Sequence, residues 1–120
     1  MHMISIKRCS NANTDHKISR RQYAHTYHLV NVICIADEFV TLPFETQMGI
    51  LAHEVGHLLI GKNNHEEKEA DKVANKFFKI NIQYKDSLYG NDLQFLSVND
   101  MLKVYDWIED NVDIPQNLVG

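Results

Sequence analysis

The residues best equipped for chemistry lie mid-chain, in Met48 to Lys62, MGILAHEVGHLLIGK. Within it His53-Glu54-Val55-Gly56-His57 has the spacing H-E-x-x-H. In a helix, residues four apart stand one above the other on the same face, so His53 and His57 can aim two imidazole nitrogens at one metal ion. Glu54 is turned about 100° from His53 and can reach a water beside that ion without binding it. A zinc hydrolase needs this arrangement: the metal lowers the pKa of its water to about 7 and polarises a carbonyl, and the Glu takes and returns the proton. The plain alternative is an amphipathic helix with two surface histidines. It fits poorly, because Ile50, Leu51, Val55, Leu58 and Leu59 surround the pair with apolar residues. Burying His-Glu-His there without a ligand would leave costly polar groups to satisfy.

Two imidazoles and a water leave a zinc ion one protein ligand short. The candidates are His65, Glu66, Glu67, Glu69 and Asp71. A second helix is expected from about Glu66 to Ile80 or Asn81, with Ala70, Val73, Ala74, Phe77 and Phe78 as its apolar face. Glu66 and Glu67 each fall within about 60° of the centre of that face, and Glu69 about 100° away. Glu67 also has Asp71 one turn on. A carboxylate there can hold the second ring proton of a ligand histidine and fix its tautomer. Glu67 is therefore the favoured third ligand, ahead of Glu69 and Glu66, with Asp71 behind a histidine. His65 stays open as a third histidine, although Ile60 and Asn63 stand where H-E-x-x-H-x-x-G-x-x-H requires Gly and His. A solvated acidic first turn that merely complements the helix dipole is the bland reading of this cluster.

Other elements must position these helices. Met3 to Cys9 alternates, with Ile4 and Ile6 on one side and Ser5 and Lys7 on the other, and reads as a strand. Asp15 to Tyr27 reads as a short helix or irregular segment. His28 to Ala36 is rich in β-branched residues and reads as a buried strand. Asp37-Glu38 makes a turn, and Phe39 to Leu42 a short extended piece that Pro43 breaks at the entry to the metal helix. That helix runs from Phe44 or Glu45 to Ile60, with Gly61 as its C-terminal cap. Gly56 leaves room for a close backbone approach. A loop or hairpin is expected within Asn81 to Phe95. A last helix, capped by Ser97 with Asp100 three residues on, shows a stripe of Leu102, Tyr105, Ile108 and Val112 and ends before Pro115.

One hundred and twenty residues suit a single domain, 1–120, able to bury a core without staples. No apolar run approaches 18 residues, so no membrane span is expected, and Met1 to Cys9 lacks the apolar core of a secretory signal. With two cysteines and no such signal, a cytoplasmic, reducing setting fits best. Cys34 sits in an apolar run and reads as core, while Cys9 is a remote candidate for a thiolate capping the metal. The net charge of −4 argues against direct nucleic-acid binding as the main function.

The run from His53 to Leu59, followed by Glu67-Lys68-Glu69-Ala70-Asp71-Lys72-Val73-Ala74, resembles the gluzincin metallopeptidases. It looks most like the ImmA/IrrE group, whose pattern is H-E-x-G-H followed by E-x-E-A-x-x-F-A. The lead-in NVICIADEFVTLPFETQ, Asn31 to Gln47, is also similar to that group's strand, proline and helix entry. The resemblance covers roughly residues 31 to 80. It implies an α+β, zincin-like fold: a small twisted sheet with an edge strand over a cleft, and two metal-bearing helices. It also implies an intracellular peptidase, often linked to phage or mobile elements, that cuts a DNA-binding repressor. Val73 stands where the pattern has Phe, so the substrate does not carry over.

The expected function is thus zinc-dependent hydrolysis of a protein or peptide, with Zn2+ on His53, His57 and Glu67 and with Glu54 as general base and then acid. Candidates for steadying the oxyanion are Tyr23, His25, Tyr27, His28, Tyr84 and Tyr89. The segment Val32 to Leu42 is expected to supply the edge strand that holds an extended peptide. The alternative is a non-catalytic, metal-stabilised protein-binding module, in which His65 or Cys9 closes the metal sphere.

Overall fold

The structure is a computed structural model of the full chain. It describes residues 4–8, 24–27, 31–61, 67–86 and 92–113, although the side chains of residues 27, 67, 85, 86 and 92 fall outside the description. In chain order the elements are β1 (Ile4–Arg8), β2 (Ala24–Tyr27), β3 (Val32–Ile35), a 3-10 turn (Asp37–Thr41), α1 (Phe44–Ile60), α2 (Glu67–Phe78), β4 (Gln83–Asp86), β5 (Asp92–Phe95), α3 (Val98–Asn111) and β6 (Val112–Asp113). The fold is α+β, with three α-helices and a small mixed sheet among the described residues.

The four-stranded sheet has the order β2-β3-β1-β6. β1 runs parallel to both β3 and β6, and β2 is antiparallel to β3. Alternation sorts the strands' side chains between two faces. Ile4 and Ile6 of β1, Ala24 of β2, and Ile33 and Ile35 of β3 join the main core, while Val32, Cys34 and Ala36 form a separate buried cluster. β3 is thus buried on both faces, as its unbroken apolar run predicts.

α1 lies at the centre of the molecule. Thr46 and every residue from Met48 to His57 are buried. The helix packs on β2 and β3, on β5, on α2 and on α3. Pro43 stands at its N-cap, and its carbonyl accepts from the amides of Thr46 and Gln47. Gln47 reaches back, and its Nε2 donates to the carbonyls of Phe39 and Leu42, each at 3.1 Å. This side chain pins the lead-in to the helix. At the other end Gly61 has φ 100°, a value L side chains rarely adopt, and its amide bonds to the His57 carbonyl.

Four expectations need correction. Residues 24–27, read as a helix or irregular piece, form β2, and the rest of 15–23 lies outside the described residues. Phe39 to Leu42 is not extended: Asp37–Thr41 is a 3-10 turn that drops Phe39 into the core. Val32 to Leu42 does not supply the sheet edge, because β3 is flanked on both sides, by β2 and by β1. On α3 the buried stripe is Val104 and Ile108, with Met101, Tyr105 and Trp107 partly buried, while Leu102 faces outward. The hairpin appears as β4 paired with β5, and Ser97 caps α3 by accepting from the Asp100 amide.

Candidate metal centre

α1 and α2 cross at Gly56. A Cβ on Gly56 would come within 2.2 Å of the Ala70 carbonyl oxygen, so glycine is what permits the crossing. This contact sets α2 against the histidine-bearing stretch of α1. One residue beyond Ala70, Asp71 Oδ1 stands 2.6 Å from His53 Nδ1. A carboxylate only accepts, so Nδ1–H of His53 donates to it, and in the neutral ring the lone pair is then on Nε2. That Nε2 lies 3.1 Å from Nε2 of His57, the two rings being perpendicular.

His53, Glu54 and His57 offer ligand atoms that all lie within 4.8 Å of one another. With Thr46 they are the buried polar side chains among the described residues. Two nitrogens on one tetrahedral zinc, bonded at about 2.0–2.1 Å, stand about 3.3 Å apart, so the 3.1 Å gap suits a single ion. The donor types suit a first-row divalent metal. The buried His-Glu-His group therefore fits a metal ion.

The remaining candidates divide by position. Glu67 is the first residue of α2, and position 67 is one turn ahead of Asp71, but its side chain lies outside the described residues. His65 and Glu66 lie outside them altogether, as do Cys9, Tyr23, His28 and Tyr89. Glu69 is turned about 200° from Asp71, and its carboxylate sits 3.5 Å from Lys72 Nζ on the exposed side of α2. It is not part of the cluster. Of the oxyanion candidates, His25 lies half-buried on β2, and Tyr84 is exposed on β4, opposite Gln94 of β5. Position 27 ends β2.

Sequence reasoning missed two supports of the site, Gln47 and the strand β2. Thr26-Tyr27, a β-branched residue beside an aromatic, was the available signal for the strand. Nothing local marks Gln47, whose partners are backbone carbonyls. Compared with protein-family models, curated proteins and solved structures, the chain matches none.

Proposed function

We propose that the chain is a zinc-dependent metallopeptidase of gluzincin type, akin to the ImmA/IrrE group, with a zincin-like domain. The observation that carries this reading is the pair of Nε2 atoms 3.1 Å apart on one helix, with one ring fixed through its other nitrogen by Asp71. His53 and His57 would hold the metal, and Glu67 is the proposed third ligand. Bound there, zinc supplies Lewis acidity, which polarises a peptide carbonyl and eases deprotonation of water. The Glu54 carboxylate accepts the proton of the attacking water and then passes it to the leaving amide nitrogen. Asp71 holds His53 in the tautomer that turns the Nε2 lone pair toward His57 and the proposed metal. The substrate class is a protein or peptide, with a regulatory protein such as a repressor as the candidate.

Glu54→Gln is the direct test. The variant keeps the metal, read by elemental analysis, and loses at least about a hundredfold in cleavage rate. Cleavage at the wild-type rate would remove Glu54 from the mechanism. A second reading rests on burial: His53 is 2% exposed, and Glu54 and His57 are each 7% exposed. Such a closed site also suits a structural metal in a non-catalytic binding module. Spectroscopy of a cobalt-substituted sample separates the two, since four protein ligands mark the module and three plus water the enzyme.

A further inference from the structure

α1 carries one row of residues at every fourth position: Glu45, Gly49, His53 and His57. Successive members stand about 6 Å apart along the axis and about 40° apart around it. The second strand of the hairpin, β5, is fastened to the start of this row. The Leu96 amide donates to the Glu45 carbonyl at 3.2 Å. A Cβ on Gly49 would lie 3.0 Å from the Phe95 nitrogen and 3.1 Å from the Gln94 carbonyl carbon, so the β5 backbone rests where Gly49 has no side chain. The histidines follow directly. The Cα–Cβ bonds of a helix tilt toward its N-terminus, so His53 springs toward the turn on which β5 rests.

The hairpin's pairing decides which side chains come with that strand. Tyr84 lies opposite Gln94. Two residues nearer the core, Ile82 and Leu96 share the face of this pair by alternation, and both are buried in the main core. Tyr84 and Gln94 continue that face beyond the core's rim: Gln94 is half-buried, and Tyr84 is 45% exposed. We propose that the pair is a specificity-determining wall of the metal centre. Tyr84 packs against an apolar side chain of the bound peptide, next to the bond to be cut, and the Gln94 amide bonds to the peptide backbone. The assignment presupposes the peptidase function proposed for the site, and it narrows the substrate class to peptides with a large apolar residue at that position.

Two probes separate the parts. Glycine hydroxamate offers a metal-chelating group alone, and phenylalanine hydroxamate adds a benzyl side chain. Amide and imidazole NMR signals of the zinc-loaded full chain report where each one sits. Both are expected to shift His53 and His57, and only the second to shift Tyr84 and Gln94. Tyr84→Ala lowers the preference for the phenylalanine probe over the glycine probe at least about fivefold, and Tyr84→Phe restores it. Because the readout is a ratio of two affinities in one protein, a general loss of zinc or of fold does not imitate it. Shifts at the histidines with none at the hairpin overturn the wall and leave the metal centre standing, as does a preference that Tyr84→Ala does not change. If neither probe reaches the histidines, the peptidase function falls and the wall with it.

Discussion

Asp71 sets the orientation of His53 through a contact of 2.6 Å. Replacing it with Asn keeps the shape but removes the charge that holds the ring proton. Asp71→Asn is expected to weaken metal affinity about 10- to 100-fold, read by competition with a chelator. An unchanged affinity would reduce Asp71 to a surface residue that happens to touch a histidine. Thr46 poses the opposite case. It is fully buried on α1, and its hydroxyl meets no hydrogen-bond partner among the described residues. Nothing in the structure explains why a hydroxyl is kept there. Thr46→Val, nearly identical in shape, should therefore stabilise the fold by about 1 kcal/mol. A urea midpoint that rises with an unchanged slope would show it; a falling midpoint would show that the hydroxyl has a function in the native state. In the sequence, the facing of His53 and His57 was legible because four residues make one helical turn. The Asp71 contact was legible because its acidic neighbours could be ranked by angle. The side chain of Glu67 stays outside that comparison.

The α1–α2 crossing is where helix packing and the site meet. Gly56→Ala places a methyl group 2.2 Å from a backbone oxygen, which no rotamer can relieve. The helices must part, with an expected loss of about 3 kcal/mol in chemical denaturation and, as Asp71 withdraws from His53, a weaker metal site. A variant as stable as wild type would mean that α2 can slide without cost. The end of α2 is fixed separately. Lys79 takes a positive φ of 58°, and the Ile80 amide bonds to the Asn75 carbonyl, which closes the helix and turns the chain toward the hairpin. The Asn75 side chain then accepts from the Ile82 amide. The helices were largely legible from their apolar period and their caps. β2 was not, because its four residues owe their conformation to pairing with β3, while Tyr23 and Tyr27 stand at helical spacing. α3 carries apolar residues on two sides, Val98 and Leu102 on one and Met101, Val104 and Ile108 on another, so its period alone did not say which side faces α1. Tyr105 lies between them. Its hydroxyl bonds to Glu109, whose carboxylate raises the tyrosine pKa above its ordinary value, with smaller contributions from desolvation and Asp106.

For the molecule as a unit, the proposed site links metal to stability. An ion that binds only the folded state adds about 2.7 kcal/mol at a free concentration a hundred times its Kd. Zinc is therefore expected to raise the thermal midpoint of wild type, in calorimetry, by an amount that grows with its concentration, and to leave His53→Ala/His57→Ala unmoved. An equal rise in both would place the metal elsewhere. None of the helices among the described residues is long and apolar enough to cross a membrane. The sheet has a consequence of its own. Ile4 lies opposite Val112, and Ser5 opposite Asp113, on adjacent parallel strands, so the described backbone begins and finishes side by side and is close to a ring. A short bridge between those strands, with new termini opened between β5 and α3, would permute the order of the polypeptide while keeping every strand pair and both helices of the site. The order in which the pieces are threaded is thus separable from the arrangement they reach.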